Sequence, residues 1–372
     1  MNPLFAYIGT YTTENSKGNR NAHGKGIYVY EISRESGAWN LVQIVETLNP
    51  AVLQWGKEKK YVYCVNSNSG MVSAFSRDPG SGFLTKLNEA VTDGNNVMIM
   101  SVDRSGEWMI TADHKGIVNV FRIKEDGSIG EKTDSLLLPG EKGPLNEKIQ
   151  PWSRPHHTPF SPDGRFILIA DKGLDIVHSY RIDREHGKLE LVQQLKCHGA
   201  SCPRHVWWSP AGNKVYINTE YTSTIIGCDY DAETGNIAPF QVVSALPDTY
   251  FDVNTMTSEL VVSPNGKNVY ISNRRANNIG AFSVETGTGR LAPVGWVDCG
   301  GKKPRFFAIE PGGKFLFNGN QSSDTITLFS IDEESGALTD MGKILDTPTP
   351  VWILFTDSVP TAEAFGSRSK EL

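Results

Sequence analysis

The sequence predicts an all-β fold, one seven-bladed β-propeller with four-stranded blades, and three observations carry that prediction. A short strand-and-turn pattern recurs seven times along the 372 residues. A second hairpin with its own turn chemistry precedes most of the copies. Each end of the chain supplies one strand that lacks a local partner.

The recurring pattern is an alternating apolar strand, a few polar residues, a Gly, and an apolar residue one or two places on. Its copies run from Val29 to Gly37, Val72 to Gly82, Val118 to Gly127, Val177 to Gly187, Ile226 to Gly235, Ile279 to Gly289 and Ile326 to Gly336. The seven glycines lie 45, 45, 60, 48, 54 and 47 residues apart, a period that fits a propeller blade. Each copy reads as a β-hairpin closed by a Gly-containing loop. The preceding hairpin turns on Ser161-Pro162-Asp163-Gly164, Ser209-Pro210-Ala211-Gly212, Ser263-Pro264-Asn265-Gly266 and Glu310-Pro311-Gly312-Gly313, with a weaker copy at Asp103-Arg104-Ser105-Gly106. Pro presets φ for the turn and Gly accepts positive φ, so residue types and positions agree. Two hairpins per unit make four strands, and radial closure of such units protects their edges.

The ends indicate how the ring shuts. Val351 to Phe355 reads as an innermost strand without a hairpin partner, and Phe5 to Tyr11 as a second strand without a first. Together they complete a closure blade shared by both termini. Residues 1–357 are expected to form the propeller and 358–372 a polar tail outside it. The Gly-, Pro- and charge-rich stretch from Pro139 to Pro155 is the longest insertion, expected as a loop over one face.

Composition narrows the function. A 39% hydrophobic share supports a core and excludes a disordered chain. Lys and Arg total 36 against 42 Asp and Glu, a net charge of −6 without basic clusters, which argues against nucleic-acid binding. No apolar run reaches the roughly 18–20 residues of a membrane helix. The first ten residues lack the charged start and apolar stretch of a signal peptide, and five scattered cysteines make no disulfide framework. A cytoplasmic protein is expected.

Hairpin arithmetic points to a site. With the turn Gly as centre, residues six before and ten after the turn Pro stand equally far from it and are expected opposite each other at the open end of the inner hairpin. The pairs are His156 with Lys172, Arg204 with Glu220, Ser258 with Arg274, and Arg305 with Gln321; the weaker copy gives Met98 with His114. A His, three Arg, a Glu, a Lys and a Gln thus gather at one mouth of the channel, as convergent polar groups do in a ligand pocket. Arginines in three blades favour an anion, since a planar guanidinium grips carboxylate or phosphate in a bidentate manner.

Around these positions the chain resembles the lactonase family of seven-bladed propellers, which includes propeller-type 6-phosphogluconolactonases and 3-carboxy-cis,cis-muconate lactonizing enzymes. The resemblance rests on Tyr7 to Thr12, Pro155-His156-His157, Pro203-Arg204-His205 through Asn218-Thr219-Glu220, Ser272-Asn273-Arg274, Lys303-Pro304-Arg305 through Asn320-Gln321, and Pro348 to Trp352. It implies that His156, Arg204, Glu220 and Arg274 form the catalytic set. His156 is the expected general acid or base, Glu220 orients it or a water, and the two arginines hold an anion and the developing oxyanion. Arg305, Gln321, Lys172 and His114 are the expected substrate-binding residues, and neither metal nor cofactor is implied. The expected activity is hydrolysis of a small anionic or polyhydroxylated sugar lactone. A muconate-type cycloisomerase is the alternative within enzymes, and a non-enzymatic binding propeller the alternative outside them.

The early blades depart from the family pattern. The strand that usually ends Val-Asn-Glu here ends Val65-Asn66-Ser67, and Ala112-Asp113-His114 replaces a usual Asn-Tyr. The pocket half built there is expected to fit a different substrate. Other constellations read as structural. Cys197-His198 to Cys202 lacks the second ligand pair zinc needs, and Trp207-Trp208 reads as packing between blades. His157 and His205 alternate away from their active-site neighbours, toward blade packing or an inter-blade hydrogen bond.

Overall fold

The computed structural model describes residues 3–13, 22–250 and 256–359. Among them, seven four-stranded antiparallel sheets stand around one axis. Blade 1 joins both ends of the chain: Pro350–Phe355 is its innermost strand and Leu4–Thr10 its second, paired from Ala6↔Phe355 to Gly9↔Trp352. Blades 2 to 7 follow as residues 50–91, 97–137, 155–196, 203–244, 257–298 and 304–346. The closure expected from the sequence is thus the one observed. Val359 still touches the ring, its N–H donating to Glu310, while residues 360–372 of the expected tail lie outside the described residues.

Burial follows the radius. Second strands such as Phe166–Asp171 are buried throughout, because neighbouring blades cover both faces. Outer strands such as Leu84–Val91 are largely exposed and carry charge, which discourages edge pairing. All five cysteines are free, and burial pushes the thiols of Cys64, Cys202 and Cys299 up to about 12. No helix among the described residues is long and apolar enough to cross a membrane.

Four of the seven repeated glycines have a structural cause beyond their turns. A Tyr hydroxyl on the second strand of one blade donates to the turn-Gly carbonyl of the next: Tyr7 to Gly82, Tyr63 to Gly127, Tyr216 to Gly289 and Tyr270 to Gly336, at 2.7 to 2.9 Å. Gly127 adopts φ +81°, and a Cβ there would overlap the Tyr61 ring. The turn is therefore both a hairpin end and a latch between blades. Tyr63→Phe should lower the unfolding free energy by about 1 kcal/mol, the net worth of one hydrogen bond. Gly127→Ala should cost more, since it adds backbone strain and an overlap to the same position. Denaturant titration of both variants reads the order.

Candidate active site

In every blade the innermost strand carries one extra residue near the same end, a β-bulge. It falls between Pro155 and His157, Pro203 and Val206, Thr257 and Leu260, Pro304 and Phe306, Pro50 and Val52, Val97 and Ile99, and opposite Gly9 and Thr10. A bulge leaves amides unpaired and re-aims side chains. Here second-strand side chains take up the freed amides: His205 N–H donates to Asn218 at 2.8 Å and Glu259 N–H to the Ser272 hydroxyl at 3.0 Å.

The bulge corrects the expected register. The terminal backbone pairs are Pro155↔Asp171, Pro203↔Thr219, Thr257↔Asn273, Pro304↔Asn320 and Val97↔Asp113. His156 and Lys172, Arg204 and Glu220, and the other expected pairs therefore do not face each other directly. One partner lies just inside the last pair and the other just beyond it. The extra residue, together with a turn centred just ahead of the Gly, produces the offset. Convergence at the mouth survives it.

That convergence centres on Glu220. Its Oε2 lies 2.6 Å from Lys172 Nζ, 3.1 Å from Arg204 Nε and 3.1 Å from Arg274 Nη2, drawing on blades 4, 5 and 6. Lys172, Arg204 and Glu220 are buried and Arg274 is nearly so. Burial alone would raise the Glu220 carboxyl, but Lys172, Arg274 and Arg204 reverse this and hold it below the ordinary carboxylate range. Burial also pulls the Lys172 ammonium down to about 8, against the attraction of Glu220. Backbone contacts aim the set. Glu220 N–H donates to Cys202 O at 2.9 Å, Cys202 N–H donates to Asp175 at 2.7 Å, and Arg274 Nε donates to Met256 O at 2.9 Å. The Cys197–Cys202 segment is thus a positioning loop organised by Asp175.

A histidine group flanks the carboxylate. The His156 ring is 5.5 Å from that of His205 and 6.2 Å from that of His114, and its buried Nδ1 has no hydrogen-bond partner. Burial, then Arg204 and Lys172, hold His156 neutral, well below its ordinary range. His205 Nδ1 lies 2.8 Å from Glu259 Oε1 and its Nε2 lies 3.0 Å from Arg204 Nη1. Because Arg204 can only donate, His205 accepts at Nε2 and carries its proton at Nδ1. Glu259, pushed up to about 8 by burial, thereby fixes the tautomer of His205, and His205 steadies Arg204. Hydrogen bonds between blades therefore run through His205 and also through His157, whose Nδ1 accepts from Val206 N–H at 3.0 Å. The sequence signal for Glu259 was its place beside Ser258; alternation in an unbulged strand turns it away from the site.

These groups line one mouth of the channel, where a cavity of about 1040 Å³ opens. His156, Lys172, Glu220, Arg274, Arg305 and half-buried His114 all stand on its wall. Deeper in the channel, His156, Arg204, His205 and Arg305 border a recess of about 20 Å³, together with the apolar Ile99, Val351 and Trp352. Arg305 Nη2 donates to the Tyr11 hydroxyl at 2.8 Å, and its guanidinium lies over that ring. Two positions differ from expectation. Gln321 is buried and lies off both walls, its N–H bonded to Lys303 O at 3.1 Å, so the 302–303 segment closes that strand end. Ser258 is likewise internal, donating to Arg305 O at 2.6 Å and accepting from Arg204 through its carbonyl. Tyr11, Arg154, Trp152 and Asn96 also line the cavity and lay outside the hairpin arithmetic, since they sit on loops.

Residues 5–355 match the family described as Lactonase, 7-bladed beta-propeller. The chain belongs to that family. A lactonase-family relative from Bacillus subtilis (strain 168), named 6-phosphogluconolactonase, is 31% identical over 314 residues, which cover 83% of this chain and 86% of the relative. A crystal structure from Bacteroides fragilis NCTC 9343, carrying a provisional 6-phosphogluconolactonase name, superposes with TM-score 0.85 at 30% identity, covering 96% of this chain and 98% of that one. A Pseudomonas aeruginosa periplasmic gluconolactonase shares the fold at TM-score 0.85 and 24% identity, covering 96% and 100%.

Within this lactonase-family propeller, removing the charge of Glu220 leaves three buried cations without their counterion. Glu220→Gln should therefore cost about 3–5 kcal/mol of stability, the scale for breaking a buried ion pair. Inorganic phosphate should restore part of the lost melting temperature by occupying the vacated charge. Thermal melts with and without phosphate measure both effects.

Proposed function

We propose that the protein hydrolyses a small anionic sugar lactone of the 6-phosphogluconolactone type. The observation that carries the reading is the Glu220 cluster: one buried carboxylate meets Lys172, Arg204 and Arg274 at a cavity wall, leaving two positive charges in excess beside a neutral imidazole. The names of the relatives support the lactone class. A cleft lined by one sign of charge focuses its field, so a protein of net charge −6 can still attract an anion here.

The chemistry follows from the protonation states. Neutral His156 takes a proton from water as the water oxygen attacks the lactone carbonyl. The recess of about 20 Å³ that His156 borders has room for about one water molecule. Negative charge grows on the carbonyl oxygen, where Arg204 and Arg274 stabilise it. Collapse breaks the ring C–O bond, and the imidazolium returns its proton to the departing alkoxide. Water is consumed and the product is the open hydroxy acid. Lys172 and Arg305 hold the anionic substituent, and Glu220 keeps the cations packed and aimed. The five free thiols support a reducing, cytoplasmic setting.

Titration of acid released from 6-phosphogluconolactone and glucono-δ-lactone, corrected for spontaneous opening, tests the reading. His156→Ala should lower kcat by about 100-fold or more, the range for a general base. Arg274→Gln should weaken anion binding by about 1.5–3 kcal/mol, whereas the same change at Arg290, exposed on an outer turn and bonded to Phe240 O, should leave it unaltered. Equal losses at both arginines, or wild-type turnover without His156, would overturn the assignment.

The pH profile provides a separate check. Lys172 is charged below about 8 and loses its proton as pH rises through that value. Attraction for an anionic substrate is therefore present at pH 7 and should fall above 8, raising KM more than it lowers kcat. Lys172→Met should raise KM at neutral pH and abolish this alkaline limb. The acid limb should lie well below 6.5, because His156 stays neutral there.

A further inference from the structure

The insertion over residues 139–155 is built as a fixed wall. Asp171 accepts from Arg154 N–H at 2.7 Å and from the Ser153 hydroxyl, and Gln150 Nε2 donates to Lys172 O at 2.9 Å. Gly143 N–H donates to Gly173 O at 2.8 Å, and a Cβ on Gly173 would overlap the Trp152 carbonyl oxygen. Gln150, Ser153 and Asp171 are all buried. Between these anchors Trp152 stays 48% exposed, the one tryptophan among the described exposed large hydrophobics. Its indole N–H donates to His114 O at 2.7 Å, which fixes the ring on the cavity wall. A rigid loop that leaves a pinned indole open to the cavity presents a flat apolar platform.

The surroundings of that platform are polar. Asn68, Asn95, Asn96 and Lys115 share the wall with Trp152, and Asn68 N–H donates to Asn96 Oδ1 at 3.0 Å. Amides beside an exposed indole suit a ring with one apolar CH face and hydroxyls at its edge, which is a pyranose; an acyl chain brings no hydroxyls to meet the amides, and an aromatic acid none along its ring edge. The cavity of about 1040 Å³ lies at the upper end of the roughly 300–1,000 Å³ of common ligand pockets, leaving space beyond a single lactone ring. The platform is also close to the chemistry, because the His114 that holds Trp152 has its ring 6.2 Å from that of His156.

We infer that Trp152, with Asn68, Asn95 and Asn96, forms a second subsite that takes a neutral sugar residue attached to the lactone, so that aldobionolactones are substrates. This rests on the lactonase reading of the Glu220 cluster. Water adds across the ester C–O bond as before, and the glycosidic bond is left intact.

Turnover of cellobionolactone and glucono-δ-lactone by wild type, Trp152→Ala and Trp152→Phe tests the subsite. Calorimetry with the product acids cellobionate and gluconate runs beside it. The expected result is a preference for the two-ring lactone in wild type. Trp152→Ala should lower the ratio of the two kcat/KM values by about tenfold, mainly through KM, the scale of one aromatic contact. Trp152→Phe, which keeps a platform but loses the indole N–H, should retain most of the preference. An unchanged ratio in Trp152→Ala overturns the inference. So does equal loss in both variants, which would assign Trp152 to holding His114 instead. If neither lactone turns over while 6-phosphogluconolactone does, the inference is overturned. If none of the three turns over, the lactonase reading fails, and the binding data still decide the subsite: tighter cellobionate binding lost in Trp152→Ala supports it, and equal affinity for both acids overturns it.

Discussion

One buried carboxylate sets the terms for the mouth of this propeller. Lys172, Arg204 and Arg274 come from three blades, and each pays a desolvation cost in a largely buried wall. Among the described residues, Glu220 is the one carboxylate ion-paired with all three. Its charge is held by their field, and their packing is held by its charge, so the four side chains form one unit rather than four separate residues. The unit is left positive. A bound anion completes its neutralisation, which makes substrate binding the last step in satisfying the site's own electrostatics.

Rigid walls make such a cluster possible. Strand ends on neighbouring blades converge, but strict β alternation would send consecutive residues to opposite faces. The bulge repeated in every innermost strand relaxes that rule at the depth where the site lies. It lets consecutive Arg204 and His205 touch each other and engage blade 6, through Ser258 and Glu259. The amides freed by the irregularity are taken up by Asn218 and Ser272, so a local defect becomes a supported one. Chemistry thus collects where the regular ladder ends.

The same irregularity marks the boundary of what could be read from the sequence. Seven turn glycines and the Pro-Gly hairpins are local signals, and they disclosed the blades and the shared closure because each has a backbone reason to recur. Convergence of His156, Lys172, Arg204, Glu220 and Arg274 was legible because strand ends repeat at fixed distances from those turns. Direct opposition of the pairs was not, since one inserted residue leaves no mark in residue type. Glu259 stayed hidden for the same reason, as alternation from Ser258 assigns it to the other face. Gln321 obeys the spacing yet lies off the wall, because the loop before its partner strand folds over it. Trp152 and Arg154 belong to an insertion, where no repeat predicts position.

The insertion is nevertheless tied to the repeat. Asp171, the residue before Lys172, takes the amide of Arg154 and the hydroxyl of Ser153, and Gln150 takes the carbonyl of Lys172 itself. The strand end that presents the ammonium to Glu220 is therefore the same one that anchors the loop carrying Trp152. Moving that wall would move Lys172, and with it the balance of charge around Glu220. Beside Trp152 stand Asn68, Asn96 and His114, on the blades whose sequence departs from the family pattern. The cavity is divided accordingly. One side, from blades 4 to 6, is constrained by buried charge. The other, from blades 2 and 3, carries amides, His114 and an exposed Lys115, whose exchange costs no buried ion pair. Variation in what the propeller accepts can accumulate on the second side while the first keeps its electrostatic lock.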